Sequence, residues 1–296
     1  LMAGGSSITP YWNFYRQHQN DKVFNILDQY HIGYLDEKSR KELKDDIILD
    51  DPFINDPIRI SNNIIHKKKP YNSETTNSSL IKNYITESKD WFVRNHHPVP
   101  NIDVNQYRLN IESLDKKILL SYDDLIKKYS ENEIITTIQC AGNRRNEFNR
   151  DKKTLGIPWK NGSISTAKWS GFWLSDIIKY KKNQHIHFIG EDMPFATSIS
   201  TNDLIKDNND IMIAYKMNNS DLPLDQGYPL RIIAPGYTGS KNVKWVKSII
   251  ISDKEVESTW QTGYVYKKIP NNIKDVKDIN LDEIQKIPTV EKMPIQ

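Results

Sequence analysis

Seven short segments with the residue pattern of β-strands limit the folds that this chain can adopt. They are rich in β-branched and aromatic residues, and turn-forming residues separate them. Most connections are too short for regular strand-helix-strand crossovers, so the pattern predicts an α+β fold with mixed sheets. The predicted strands cover residues 107–111, 118–121, 134–139, 185–189, 211–215, 230–234 and 243–251.

Helical periodicity occurs before these strands and between them. Ser121 and Asp124 have the spacing of a capping box, in which each side chain bonds the other residue's backbone amide. This pair favours a helix that begins directly after Ser121. The predicted helices cover residues 21–30, 125–129, 173–180 and 201–206.

Residues 45–76 differ in composition from the rest of the chain. They are rich in Asn, Asp, Lys, Pro and Ser, which predicts a long irregular surface segment. The run Lys67-Lys68-Lys69 within it is typical of a solvated loop, with phosphate or membrane contact as the less favoured interpretation.

Composition and charge argue against several classes of protein. The 296 residues include 41 basic and 38 acidic ones, and a net charge of +3 is too small to predict a nucleic-acid-binding surface. No apolar stretch approaches the roughly 18 residues that a membrane span requires. A single cysteine excludes an internal disulfide framework, so packing must stabilise what we expect to be one main domain.

That cysteine, Cys140, lies at the end of a predicted strand. Ala141 and Gly142 follow it, and then Arg144 and Arg145. Fixed positive charge beside a thiol favours the thiolate, which is the form that binds metals. On this segment alone a buried structural cysteine is the favoured interpretation, because free cysteine is among the most buried residue types.

Two further clusters combine cations with constrained backbone. Residues 91–100 place a dense group of hydrogen-bond donors before two prolines, which suits an anion or a polar cofactor but equally suits a surface turn. Residues 227–245 contain Gly236 and Gly239, whose backbone a ligand can approach closely. The cations of this second cluster are Arg231, Lys241 and Lys244.

Taken together, these clusters resemble the sulfite oxidase family. The similarity runs over almost the whole chain, and it implies the mixed-sheet molybdopterin-binding fold of that family, followed by the start of an immunoglobulin-like β-sandwich. By this resemblance residues 1–12 are a hinge after a missing haem domain, 13–267 the molybdenum-cofactor domain, and 268–296 the start of a truncated dimerisation domain. The most specific segments are Gln139-Cys140-Ala141-Gly142-Asn143-Arg144-Arg145, Gly156-Ile157-Pro158-Trp159 and residues 162–169.

The resemblance also implies roles for individual residues. Cys140 corresponds to the thiolate ligand of molybdenum in a molybdenum-molybdopterin cofactor. Arg94, Arg145, Trp159 and Tyr266 correspond to an anion pocket, where planar guanidinium groups match an oxyanion. The corresponding cofactor contacts are Phe92, Val93, Arg94, Asn95, His96, Asp192, Gln226, Arg231, Asn242, Val243 and Lys244.

The activity that the resemblance implies is the two-electron oxidation of sulfite to sulfate, by oxygen transfer from a molybdenum-oxo centre. Electrons would pass to haem and cytochrome c, or to oxygen. The implied assembly of the full-length protein is a homodimer. The implied location is the mitochondrial intermembrane space, with the peroxisome as the alternative.

Some positions depart from the family pattern. Gln226 stands where the family usually has a histidine that contacts the pterin. The segment that ends in Tyr266-Lys267 is one residue longer than usual, so Tyr264 competes with Tyr266 for the active-site role, and Lys267 favours Tyr266. The family's last pocket arginine belongs to the dimerisation domain, most of which this chain lacks. Two other interpretations remain open, a nitrate reductase molybdenum domain and a non-catalytic molybdopterin-binding module.

Overall fold

The computed structural model describes Trp12 and residues 21–42, 51–113, 116–192, 195–270, 272–273 and 279–293. The chain divides into two compact units, Leu1–Ile54 and Asn55–Gln296. The first unit contains helices α1 (Asp21–Asp28) and α2 (Glu37–Glu42). Helix α1 confirms the helix predicted over 21–30, whereas the predicted hinge, apart from Trp12, lies outside the described residues.

The second unit contains the predicted strands. Its strands are β1 (Ile64–Lys68), β2 (Tyr71–Glu74), β3 (Val93–Arg94), β4 (Arg108–Ser113), β5 (Lys116–Ser121), β6 (Asn132–Gln139), β7 (Ile164–Trp173), β8 (His185–Gly190), β9 (Ala196–Ser200), β10 (Met212–Met217), β11 (Ser220–Asp221), β12 (Arg231–Ile233) and β13 (Val246–Ser252). Its helices are α3 (Asn77–Lys82), α4 (Tyr122–Lys128), α5 (Arg145–Phe148), α6 (Leu174–Ile177), α7 (Thr201–Lys206) and α8 (Leu281–Lys286).

The strands form three sheets, which confirms the α+β class. A small sheet has the order β1-β2-β3, and a second has the order β5-β4-β13-β8-β9. A third, which we call the central sheet, has the order β11-β10-β7-β6, with β12 also paired to β10. Strands β4 and β13 run parallel and every other recorded pair is antiparallel, so the second sheet is mixed.

The central sheet is covered by apolar side chains on both faces. Along β10, Ile213 and Tyr215 belong to the core that this sheet shares with the second sheet. Met212 and Ala214 point the opposite way and pack with Trp91 in a separate core. Alternate residues of a strand face opposite sides of a sheet, so β10 is apolar at nearly every position.

The structure corrects the prediction of an irregular segment over residues 45–76. Residues 64–68 and 71–74 form β1 and β2, and all four residues of β2 are buried. The polar composition of β2 concealed this strand because its buried polar groups have partners elsewhere. Asn72 donates to Asn95 O at 3.0 Å, and Glu74 accepts a hydrogen bond from the amide of Lys160 at 2.7 Å.

Two further differences concern the central sheet. Strand β7 is absent from the seven predicted strands because its Ala, Lys and Gly residues weaken the strand pattern. The helix predicted over 173–180 shortens to α6, since residues 164–173 belong to β7.

The capping box at Ser121 and Asp124 is confirmed at the start of α4. No helix among the described residues has both the length and the apolar surface needed to cross a bilayer.

At Gly171, β7 lies close to the backbone of β10. A Cβ atom there would lie 2.2 Å from Ile213 O and 2.7 Å from the Cα of Ala214. We predict that Gly171→Ala lowers the free energy of unfolding by about 1–3 kcal/mol, because the backbone must separate. Urea denaturation measures the change, with Ser170→Ala as the control for loss of one hydrogen bond to Glu133. Equal stability of the two variants would contradict this packing.

Candidate active site

Cys140 lies where β6 ends, held in place by backbone hydrogen bonds. Its amide donates to Ser163 O at 2.9 Å, and its carbonyl accepts from the amide of Asn143 at 2.9 Å. A Cβ on Gly239 would lie 3.3 Å from Gln139 O, so the loop that contains Gly239 packs against this strand end. The thiol is partly exposed to a cleft in the second unit.

The cleft encloses about 620 Å³, part of it open to solvent. Segments distant in sequence meet at its walls, and most of the predicted site residues line it. The predicted residues in the lining are Phe92, Arg94, His96, Cys140, Asp192, Gln226, Arg231, Asn242, Val243, Lys244 and Tyr266. Gly239, whose backbone was expected to be approachable by a ligand, lines it as well. Residues that sequence reasoning assigned no individual role also line it, namely Trp91, Ala141, Phe195 and Ser240.

Arg231 is a buried cation without a carboxylate partner among the described residues. It is 4% exposed, and its Nη1 donates to Gln226 Oε1 at 2.7 Å. Its Nε atom is buried without a hydrogen-bond partner, and the guanidinium carbon lies 5.2 Å from the ring centre of Trp169. Burial lowers the pKa of Arg231 to about 9. A buried guanidinium with a free donor is suited to bind an anionic group.

Lys244 is fixed by a network that begins outside the cleft. Arg59 forms a bidentate pair with Asp225, at 2.7 and 2.9 Å. Asp225 accepts from Asn95 Nδ2 at 2.9 Å, and Asn95 Oδ1 accepts from Lys244 Nζ. Lys244 Nζ also donates to Asp225 O at 2.9 Å. Asn95 is not part of the cleft lining, but it orients Lys244, which is.

Arg94 and Asp192 complete the charged groups of the cleft lining. Arg94 Nη1 donates to Asn72 Oδ1 at 3.1 Å and to Asn95 O at 2.6 Å. Burial raises the pKa of the Asp192 carboxyl and lowers the pKa of the Lys244 amine, while the attraction between the two opposes both shifts. The lining thus holds three cationic side chains and one carboxyl, which favours an anionic ligand.

Tyr266 and His96 face each other at one side of the cleft. The phenol oxygen lies 3.5 Å from His96 Nε2. The His96 ring packs against Phe195 and Trp260, with centroid distances of 5.4 and 4.2 Å. Burial raises the pKa of Tyr266 to about 12 and lowers the pKa of His96 well below its ordinary value. Both groups are therefore neutral near pH 7. The side chain of Tyr264 is not among those described, so the preference for Tyr266 rests on its place in the lining.

Arg145 passes between two glycines. A Cβ at Gly142 would lie 2.4 Å from its Nη2, and one at Gly156 would lie 2.9 Å from its Nη1. Nη1 also donates to Ile157 O at 2.9 Å. The glycines of the two motifs therefore make room for this guanidinium, which is not in the cleft lining.

The other arginine of the motif turns outward. Arg144 forms a bidentate pair with Glu147, at 2.8 and 2.9 Å, on the exposed surface. This corrects the expectation that both arginines supply charge beside the thiol. The reason is local, because Arg144 has a positive φ of 66° and directly precedes α5, the helix that contains Glu147.

Three further predicted residues lie behind the walls rather than in them. Trp159 is fully buried, with its ring edge-on to His66 at 5.1 Å. Val93 is buried in β3, where it pairs with Ser73. Lys241 was expected among the ligand-binding cations, but its Nζ is buried away from the cleft and donates to Ser198 O at 2.7 Å.

The side chains present fit a metal group that brings its own ligands. The described residues include no cluster of three or more His, Cys, Asp or Glu side chains suited to a metal ion. Cys140 therefore offers a single protein ligand, a soft sulfur donor. The unpartnered Nε of Arg231 and the cations around it suit an anionic cofactor that reaches the same cleft.

Comparison with known proteins gives the same result. The family described as oxidoreductase molybdopterin binding domain matches residues 96–260. The chain therefore belongs to this family of molybdenum-dependent oxidoreductases, and its cofactor is the molybdenum-molybdopterin group.

Two of the relatives carry the names of different enzymes. The chain is 33% identical to mitochondrial sulfite oxidase of Rattus norvegicus, over all of this chain and 55% of that protein. It is 34% identical to the nitrate reductase of Aspergillus niger, over 69% of this chain and 25% of that protein. The chain thus spans about half the length of the rat relative.

A solved structure shares the fold. The sulfane dehydrogenase SoxCD from Paracoccus pantotrophus superposes with a TM-score of 0.59 at 22% identity, covering 82% of this chain and 59% of that one. At this identity the similarity concerns the fold alone.

Burial of His96 makes the stability of the protein dependent on pH. Its pKa in the folded state lies below the unfolded value of 6.5, so the unfolded state takes up a proton first as the pH falls. The free energy of unfolding should therefore decrease below about pH 6.5. We predict that His96→Gln reduces this slope by up to about 1.4 kcal/mol per pH unit. Urea denaturation between pH 5 and 8 measures it, and an unchanged slope would contradict a neutral buried His96.

Proposed function

We propose that this domain oxidises sulfite to sulfate. The observation that carries the proposal is the cleft itself, in which Cys140 shares one lining with Arg94, Arg231 and Lys244. An oxyanion substrate would meet cations in a largely buried site, where electrostatic attraction is stronger than in water. The rat relative, which matches the whole chain, is named a sulfite oxidase.

Each side chain has a distinct part in this proposal. Cys140 would hold the metal, while Arg231, Lys244 and the amide of Gln226 would bind the anionic and polar parts of the cofactor. When bound, the cofactor supplies oxygen-atom transfer and a two-electron redox centre. Arg94 would bind and orient sulfite.

Tyr266 and His96 are both neutral and together form a site in the cleft where a proton can be held. A phenol proton directed at His96 Nε2, 3.5 Å away, would hold the imidazole as an acceptor beside a bound substrate. Arg145 would complete the anion pocket from behind Gly142 and Gly156, with Trp159 supporting its loop.

Nitrate reduction is the second candidate, because a nitrate reductase is among the relatives and nitrate is also an oxyanion. That relative matches 69% of this chain, whereas the rat sulfite oxidase matches all of it. A non-catalytic cofactor-binding module would not need Cys140 and Tyr266 in the same cleft, where both lie. We therefore favour sulfite.

The wider context follows from the resemblance and stays a prediction. It includes cytochrome c or oxygen as electron acceptor, a haem domain upstream, a homodimer, and a mitochondrial location in the intermembrane space, with the peroxisome as the alternative. The immunoglobulin-like domain that we expect to begin within residues 268–296 is also a prediction.

Cys140→Ser tests the metal ligand. We predict that this variant loses bound molybdenum and that sulfite-dependent reduction of ferricyanide falls by more than about 100-fold, since losing even a group that supports a ligand costs about 10–100-fold. Metal analysis and steady-state kinetics measure the two effects. Thr137→Val, which breaks the hydrogen bond between Thr137 of β6 and Thr166 of β7, controls for damage to β6. Full activity of Cys140→Ser would refute the assignment of the metal ligand. Nitrate turnover without sulfite turnover by the unsubstituted protein would identify a nitrate reductase.

Arg94→Gln tests the substrate-binding cation. We expect the KM for sulfite to rise about 10- to 100-fold, because a hydrogen bond to a charged group contributes about 1.5–3 kcal/mol. Arg108→Gln removes the same charge from an exposed side chain whose partners are backbone carbonyls, and should leave KM unchanged. Equal effects of the two substitutions would show that overall charge, not the cleft, attracts the substrate.

A further inference from the structure

Lys241 is a fully buried amine that the proposed chemistry does not use. Its Nζ donates to Ser198 O at 2.7 Å and to Gln261 Oε1 at 2.9 Å, and it lies 3.3 Å from Glu291 Oε1. Burial lowers the pKa of this amine, and the Glu291 carboxylate opposes that shift. Such a pair contributes little net stability, but it fixes the relative position of the segments that it joins.

Glu291 belongs to an extended segment, residues 288–293, which we call the strap. On one side the strap pairs with the chain that contains Tyr266. The amide of Val290 donates to Tyr266 O at 2.7 Å, the amide of Lys268 donates to Pro288 O at 2.8 Å, and Thr289 pairs with Lys267.

On its other side the strap pairs with the chain that leads into the Gly239 loop. The amide of Thr238 donates to Glu291 O at 2.8 Å, and the amide of Met293 donates to Gly236 O at 2.9 Å. The strap therefore bridges two walls of the cleft, the wall with Tyr266 and the wall with Gly239 to Lys244.

We propose that the strap positions Tyr266 in the cleft and that the Lys241–Glu291 ion pair holds the strap there. Glu291 is thus a positioning residue, and it acts on the site through backbone pairing rather than by contact with substrate. The proposal rests on the proposed function only for its effect on sulfite turnover, since the geometry itself does not depend on the substrate.

Glu291→Gln removes the charge with little change of shape. Asp207→Asn is the matched control, because Asp207 forms a 2.7 Å ion pair with the neighbouring Lys292 on the surface of the same strap. Surface pairs of this kind contribute little, so the control should leave the strap in place.

Hydrogen exchange of the full chain with its cofactor is the first measurement. We expect amides of residues 266–268 and 289–291 to exchange about tenfold faster or more in Glu291→Gln, through local opening, while β8 is unchanged. Asp207→Asn should match the parent protein throughout. Equal exchange in the two variants would overturn the proposal, and faster exchange in β8 as well would do so by showing general destabilisation.

Kinetics give the second measurement. We expect Glu291→Gln to lower kcat/KM for sulfite about tenfold in the parent protein but less than about twofold in a Tyr266→Phe background, because effects on one shared group are not additive. Equal losses in both backgrounds would overturn action through Tyr266. If the parent protein does not oxidise sulfite, the proposed function fails, and hydrogen exchange alone decides on the strap.

Discussion

The cleft depends on cations that are held by amides instead of carboxylates. Arg94 donates to Asn72, Arg231 to Gln226 and Lys244 to Asn95. A side-chain amide fixes the direction of a cation through a hydrogen bond but leaves its charge uncompensated. The positive charge of Arg94 and Arg231 therefore remains available to an anion, at the cost of burying it in the absence of a ligand, whereas Lys244 is also attracted by Asp225 and Asp192.

This arrangement gives a physical role to Gln226, which stands at the position where the resemblance implies a histidine. Its Oε1 accepts from Arg231, and its Nε2 donates to Phe92 O at 3.3 Å. A glutamine makes both bonds at any pH, whereas a histidine would gain a proton and a positive charge in acid. The amide thus adds no titrating charge of its own beside Arg231.

Residues outside the cleft lining hold its walls in place. Glu74 accepts a hydrogen bond from the amide of Lys160 and lies 3.2 Å from His66. These contacts fix the loop whose carbonyl, Ile157 O, accepts a hydrogen bond from Arg145. The Arg59–Asp225 pair fixes Asn95 and, through it, Lys244. Buried polar networks of this kind hold the segments that they join in a fixed position.

The sequence by itself determined the α+β class, the seven strands that it predicts and the place of Cys140 at a strand end, because these follow from local periodicity. The family resemblance added the residues of the cleft. Only the tertiary structure decided that residues 71–74 form a buried strand and that Lys241 is buried away from the cleft. In both cases the deciding partners are distant in sequence, and a local pattern does not encode which remote atom satisfies a polar side chain.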